Sequence, residues 1–126
     1  MTAVQRDGGD WTMEDLANYK VVEREPIRMA FGNAELISAP PPSSGGIAIA
    51  QMLQMLDLYH WQSMSEADQT HLLIEVMRRA YRDRAEFLGD PDFVDVPTAM
   101  LLDPARAQAY ADSIDMTKAT PSLSLK

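Results

Sequence analysis

The run Ser43–Ser44–Gly45–Gly46 follows the prolines Pro40, Pro41 and Pro42 and opens an apolar stretch. Ser43 or Ser44 can cap the helix that such a stretch predicts, and Gly45 and Gly46 let its backbone start close to another group. A helix N-terminus with free N–H groups also attracts anions. Turn chemistry explains the same residues as a rigid strand-to-helix connector, and that reading is favoured over a ligand contact. The strand-Gly-x-Ser-x-Gly elbow of an α/β-hydrolase nucleophile is not found around these serines.

Further along, His71 and Glu75 stand four apart in a helical pattern, a spacing that can place two metal ligands on one face. Zinc needs a third or fourth ligand, and the only other histidine is His60, so a helix-surface histidine beside a glutamate is the stronger reading. Glu75 is flanked by Leu72, Leu73 and Val76, where a carboxylate requires an arginine or a backbone amide as partner. Asp83 and Arg84 are adjacent, so they point to different sides of the helix and each must pair elsewhere. Buried ion pairs or backbone contacts are expected at Glu75, Asp83 and Arg84. Loss of Arg84 would then strand a buried carboxylate at a cost of about 3–5 kcal/mol. Asp90 and Asp92 flank Pro91 without the spacing of a calcium loop, which favours capping.

The elements that must position these groups are readable in outline. Thr12 with Asp15 forms a capping-box signature ahead of a short helix. A hairpin is predicted over about 20–39, turning at Gly32–Asn33, with Pro26 marking an edge or bulge. Helices follow at about 47–60, 69–88 and 104–114. The first is apolar on most sides, with Gln51, Gln54 and Asp57 as a narrow polar stripe. In the second, Leu73, Met77, Ala80, Arg84 and Leu88 track one side, and Arg78, Arg79, Arg82 and Glu86 another. Glu75–Arg79 and Arg82–Glu86 are i,i+4 pairs, and Gly89 is a natural stop. The third helix enters from Asp103 as N-cap with Pro104 at its first position. The final "DMTKATPSLSLK" reads as frayed polar chain.

Composition narrows the function classes. The 126 residues suffice for one domain, and 46% are hydrophobic, enough for a core. Eleven Lys and Arg against nineteen Asp and Glu give a net charge of −8, which argues against nucleic acid as a partner. The lack of cysteine removes disulfides, thiolate nucleophiles and Cys-type zinc sites. No run of about 18 apolar residues is present to span a membrane. The opening "MTAVQRDGGDW" lacks the basic and apolar regions of a secretory signal. Nine methionines suit adaptable core or interface packing.

Taken in order, the segments resemble one family. "GGDWTMEDLANYKVVEREPI" is similar to the pattern GG-x-x-T-x-E-D-L-A-x-Y-x-V-x-x-R-x-P-I of γ-glutamyltranspeptidases, and "PPPSSGG" and "AYRDRAEFLGDPDFVDVP" continue it from about Gly8 to Pro121. The resemblance implies an α+β fold, a fragment of the α/β/β/α sandwich of N-terminal nucleophile hydrolases with a short β-hairpin and three to four helices. It implies a precursor that cuts itself and exposes a threonine. That threonine, with its own amine as base, attacks γ-glutamyl amides such as glutathione and passes the glutamyl group to water or an amino acid.

The family's Thr-Thr-His motif lies beyond the equivalent of residues 115–126, so Thr117 and Thr120 correspond to the pre-cleavage linker. No catalytic, substrate-binding or metal residue of the family carries over. Ser43, Ser44, Gly45, Gly46, Glu75, Asp83 and Arg84 are therefore structural candidates, and the expected partners are the rest of the large subunit and the small subunit. No cofactor is expected, and the family implies a periplasmic or secreted location. Uncovered apolar surface would favour a homo-oligomer. The alternative is a free-standing α+β interaction module that binds a partner through its methionine-rich helices.

Overall fold

The computed structural model describes residues 2–125. A short helix α1 (Thr2–Arg6) precedes α2 (Met13–Asn18), whose start is fixed by the expected box. The Asp15 N–H donates to the Thr12 hydroxyl oxygen at 3.1 Å, and the Thr12 N–H donates back to the Asp15 carboxylate at 2.7 Å.

The hairpin is shorter than the sequence suggests. β1 (Ile27–Phe31) pairs antiparallel with β2 (Ala34–Ser38), Phe31 opposite Ala34 and Ile27 opposite Ser38. The two-residue loop Gly32–Asn33 puts Gly32 at φ +54°, a conformation that favours glycine. Residues 20–26 stay irregular ahead of Pro26, and Val21 and Val22 are exposed rather than strand-forming. They lack a neighbouring strand to pair with. Arg24 is tied instead to Asp92 at 2.7 Å.

After β2 the prolines do not extend the chain. They turn it: the Ser43 N–H donates to the Pro40 carbonyl at 3.1 Å, and the Pro41–Pro42 peptide is cis. The turn feeds α3 (Gly45–Asp57). A 3-10 turn at Trp61–Ser63 then leads to the long α4 (Glu66–Phe87), capped by Ser65. α4 ends without a left-handed glycine. Leu88 is extended and Gly89 keeps a negative φ, so Gly89 is not the helix stop expected of it. Its lack of a side chain leaves room for Val94, whose Cγ2 would lie 2.7 Å from a β-carbon there. A short α5 (Thr98–Leu101) and α6 (Pro104–Asp112) complete the order, with Asp103 capping α6 through the Ala105 N–H at 2.8 Å.

Two apolar clusters form the core. Ile27, Ile47, Ala50 and Leu101 gather beneath the hairpin, with Phe87 and Leu88 against them. Met55, Leu72, Val76 and Ala107 form the other, joined by Tyr59, Ile114 and Met116. The first half of α3 thus meets the end of α4, and its second half meets the start of α4. The two helices run antiparallel, and α6 closes the second cluster.

The buried side of α4 is not the one the apolar residues suggest. Leu72, Glu75, Val76, Arg79, Ala80 and Asp83 are buried, while Leu73 and Met77 are exposed. Three charged residues lie inside because they satisfy one another and their neighbours, which a count of apolar positions does not register.

Candidate functional site

The start of α3 is built for proximity. A methyl group on Gly46 would overlap the carbonyl oxygen of Ala39, backbone that cannot move aside cheaply. Gly45 faces open space, its β-carbon meeting only the Ser43 hydroxyl at 3.8 Å. Of the two glycines, Gly46 is therefore the one the fold demands. Gly46→Ala should destabilise the chain by about 1–3 kcal/mol through overpacking, whereas Gly45→Ala should change stability little. Comparative thermal unfolding of the two variants checks this, and equal melting temperatures would contradict it.

Neither serine caps α3. Ser44 occupies the N-cap position but has helical φ and ψ, and its side chain makes no capping bond. Its hydroxyl accepts from Arg84 Nε at 3.1 Å instead. That bond is also the correction for Arg84: the side chain is exposed and, among the described residues, joins no carboxylate. Arg84 and Ser44 are brought together at the surface, and the buried carboxylates find other arginines.

Asp83 is almost fully buried, at 1% exposure, and is held from four sides. Arg106 grips it bidentately, Nε to Oδ2 at 2.8 Å and Nη2 to Oδ1 at 2.7 Å. Arg82 donates to Oδ1 at 3.1 Å, and the Tyr110 hydroxyl donates to the same oxygen. Gln51 donates to Oδ2 at 2.8 Å and also to the Leu101 carbonyl at 3.0 Å, tying α3 to α4 and α5. Arg106 is flanked by the rings of Phe87 and Tyr110, 5.5 and 4.9 Å from their centroids. Burial alone would raise the Asp83 pKa, but the bonds from Arg106, Tyr110 and Gln51 outweigh it and hold the carboxyl below its ordinary range. Burial and the neighbouring carboxylate push the Tyr110 phenol up. Arg82 is drawn to Asp83 and Tyr110 rather than to Glu86, its expected partner one turn away.

Glu75 forms a second buried centre. Arg79 Nη1 lies 2.6 Å from Oε2 and Arg78 Nη1 2.8 Å from Oε1, so the i,i+4 pair forms, but inside the protein, with Glu75 and Arg79 each 1% exposed. The Thr120 N–H donates to Oε1 at 3.0 Å. Desolvation works against the charge, yet the bonds from Thr120 and Arg79 and the nearby Arg78 bring the pKa from 4.5 down to about 2. Arg79 also donates to the Ser113 hydroxyl and carbonyl and to the Thr120 hydroxyl. The segment after α6 is consequently docked on α4, not frayed; Lys126 lies outside the described residues. Sequence reasoning paired Arg79 with Glu75 but not with Ser113 or Thr120, and it missed Arg106 and Tyr110. Arg106 and Tyr110 sit on a helix that carries no visible site motif.

His71 is a partner to backbone. Its Nε2 stands 2.9 Å from the Asp115 carbonyl, which can only accept, so that nitrogen carries the proton. Asp90 caps the Asp92 N–H at 3.0 Å. Among the described residues no group of three or more acidic, histidine or cysteine side chains is arranged to hold a metal ion, and no helix is long and apolar enough to cross a membrane.

Glu75 and Asp83 are thus engaged with arginines and with backbone or side-chain donors, while Arg84 holds only the Ser44 hydroxyl at the surface. The family model described as Gamma-glutamyltranspeptidase matches residues 1–126. The chain belongs to that family. It is 45% identical over 125 residues to the glutathione hydrolase proenzyme of Escherichia coli, a match covering 98% of this chain and 22% of that protein. It is 44% identical over 115 residues to the acylase ACY 1 proenzyme of a Pseudomonas species, covering 90% of this chain and 21% of that one. The crystal structure of the Helicobacter pylori γ-glutamyltranspeptidase superposes with a TM-score of 0.90 at 35% identity, over 99% of this chain and 36% of the other. The chain spans about a fifth of the length of the curated relatives it matches. Its fold is a small α+β portion of the N-terminal nucleophile hydrolase architecture, a two-stranded hairpin with helices packed around it.

Proposed function

We propose that these residues are the C-terminal part of the large subunit of a γ-glutamyltranspeptidase and act as scaffold for a threonine nucleophile carried outside this chain. The whole enzyme would cleave γ-glutamyl amides such as glutathione and hand the glutamyl group to water or an amino acid. The observation that carries the reading is the family match across residues 1–126. The internal chemistry agrees: Asp83 and Glu75 are saturated by arginine, tyrosine and backbone donors, which fits carboxylates that hold a frame.

The partners on this reading are the rest of the large subunit and the small subunit. Ile74, Met77 and Tyr81 form an exposed apolar stripe on α4 that suits such a neighbour. The test is a chimera in which these residues replace the matched segment of the Escherichia coli proenzyme. It is expected to cut itself into two subunits and to release the chromophore from a γ-glutamyl anilide, while the 126-residue chain alone releases none. A soluble, folded chimera that stays uncut, or turnover by the isolated chain, would overturn the reading.

A further inference from the structure

His71, Glu75, Arg78 and Arg79 occupy positions i, i+4, i+7 and i+8 of α4, and so share one side of it. Every one of them reaches the segment that follows α6. His71 meets the Asp115 carbonyl at 2.9 Å, Glu75 accepts the Thr120 N–H at 3.0 Å, and Arg78 donates to the Ser122 hydroxyl at 3.1 Å. Arg79 holds Ser113 at hydroxyl and carbonyl, both 3.0 Å, and Thr120 at its hydroxyl, 3.3 Å. Ascending α4 from 71 to 75 to 78 meets 115, 120 and 122 in turn, so from Asp115 onward the segment runs alongside the helix in the same direction, while Arg79 reaches back to Ser113 at its start.

Seven helical residues advance about 10 Å, whereas seven extended residues would cover about 24 Å. The segment is shortened to fit by a turn in which Asp115 accepts from the Thr117 N–H at 2.9 Å and its hydroxyl at 2.6 Å.

Residues 117–119 and 121–124 are exposed, and apolar anchoring comes chiefly from Ile114 and Met116 near the start. Past Met116 the contacts are polar, and they converge on two charges that are almost fully buried. A buried ion pair is a weak source of net stability compared with well-packed apolar residues, but its fixed donors and acceptors can specify a register. Sliding the segment by one residue would leave Glu75 and Arg79 short of partners inside the protein, a cost that apolar packing would not impose.

We propose that His71, Glu75, Arg78 and Arg79 form a rail that fixes the register of residues 113–122 and thereby sets the rate at which the precursor cuts itself. The inference rests on the preceding reading, in which the cleavage point follows this segment. The four side chains are positioning residues: they place the chain that leads to the scissile bond and do not touch the reacting atoms. Self-cleavage depends on near-attack geometry, and a misplacement of about 1 Å can cost on the order of 100-fold in rate.

The experiment uses the chimera described above, with Thr120→Val and Ser122→Ala together, which leave the Glu75–Arg79 pair intact. The half-time of self-cleavage should lengthen by roughly tenfold or more. Turnover per processed active site and the melting temperature should stay unchanged, and Thr120→Ser with Ser122 intact should restore the rate. Glu75→Gln should slow cleavage further. Cleavage at the unsubstituted rate in both variants would overturn the proposal. So would a loss of turnover or melting temperature in step with the cleavage rate in the Thr120→Val/Ser122→Ala variant, since that marks a general structural role; Glu75→Gln, which also breaks the buried pair, is expected to lose stability as well. An unsubstituted chimera that fails to cut itself removes the preceding reading and the rail with it, whereas normal cleavage in all variants removes the rail alone.

Discussion

Replacing Asp83 with alanine should cost about 3–5 kcal/mol, the loss typical when one partner of a buried pair is removed. Domains of this size have a total stability of only about 5–15 kcal/mol, so the variant should be near the edge of folding or beyond it. The reason lies in what stays behind. Arg106 and Arg82 would be left with neighbouring positive charges and no counter-ion, Tyr110 would lose the acceptor for its hydroxyl, and Gln51 would lose one of its two acceptors. The damage would not stay local. Gln51 and Asp83 link α3 to α4 between the two apolar clusters, and Arg106 and Tyr110 bring in α6, so three helices share this centre. Arg84→Ala should behave oppositely despite being next in sequence. It removes an exposed bond to Ser44 and should change stability by less than about 1 kcal/mol. Denaturant unfolding of the two variants decides the matter, and comparable losses in both would contradict the assignment. Asp83→Asn, which keeps the shape but removes the charge, should fall between them.

The contrast between those neighbours shows what the sequence could reveal. The local signals were legible: the Thr12–Asp15 box, the Gly32–Asn33 turn, the Asp103–Pro104 helix start and the i,i+4 spacing of Glu75 and Arg79 all depend on residues within a few positions of each other. That Glu75 and Asp83 need buried partners was also legible, because each sits in an apolar setting. The identity of those partners was not. Arg106 lies 23 residues from Asp83, and Thr120 lies 45 from Glu75. Helical periodicity assigns charged residues to the solvent side, so it placed Arg79 there, when tertiary contact with Ser113 and Thr120 draws it inside. The serines before α3 satisfied the composition rule for a cap, but the tight turn from Pro40 leaves Ser44 in a helical conformation that cannot cap. Composition likewise made residues 115–125 look frayed, since few of them are apolar, while their order comes from hydrogen bonds to distant side chains.

Acid should weaken this chain largely through Glu75. Its pKa is lowered from 4.5 to about 2 in the folded protein, and a depressed carboxylate stabilises the fold above its unfolded pKa and loses that contribution as pH falls through its folded one. The window is therefore about pH 4.5 down to about pH 2, and a shift of this size corresponds to roughly 3 kcal/mol. Protonation would remove the charge that holds Arg79 and Arg78 and weaken the acceptor for the Thr120 N–H, so the segment along α4 should be released ahead of the core. Asp83, also held below its ordinary range, adds a loss of the same sign. Glu75→Gln separates the two. The variant should be less stable than the parent at pH 7, and the difference should shrink toward zero as pH falls to about 2, because the parent's own glutamate is then losing its charge. Denaturant unfolding across that range, with amide exchange at Thr120 as the local probe, reads both effects. Parallel curves for parent and variant from pH 7 to pH 2 would show that Glu75 is not the group being titrated.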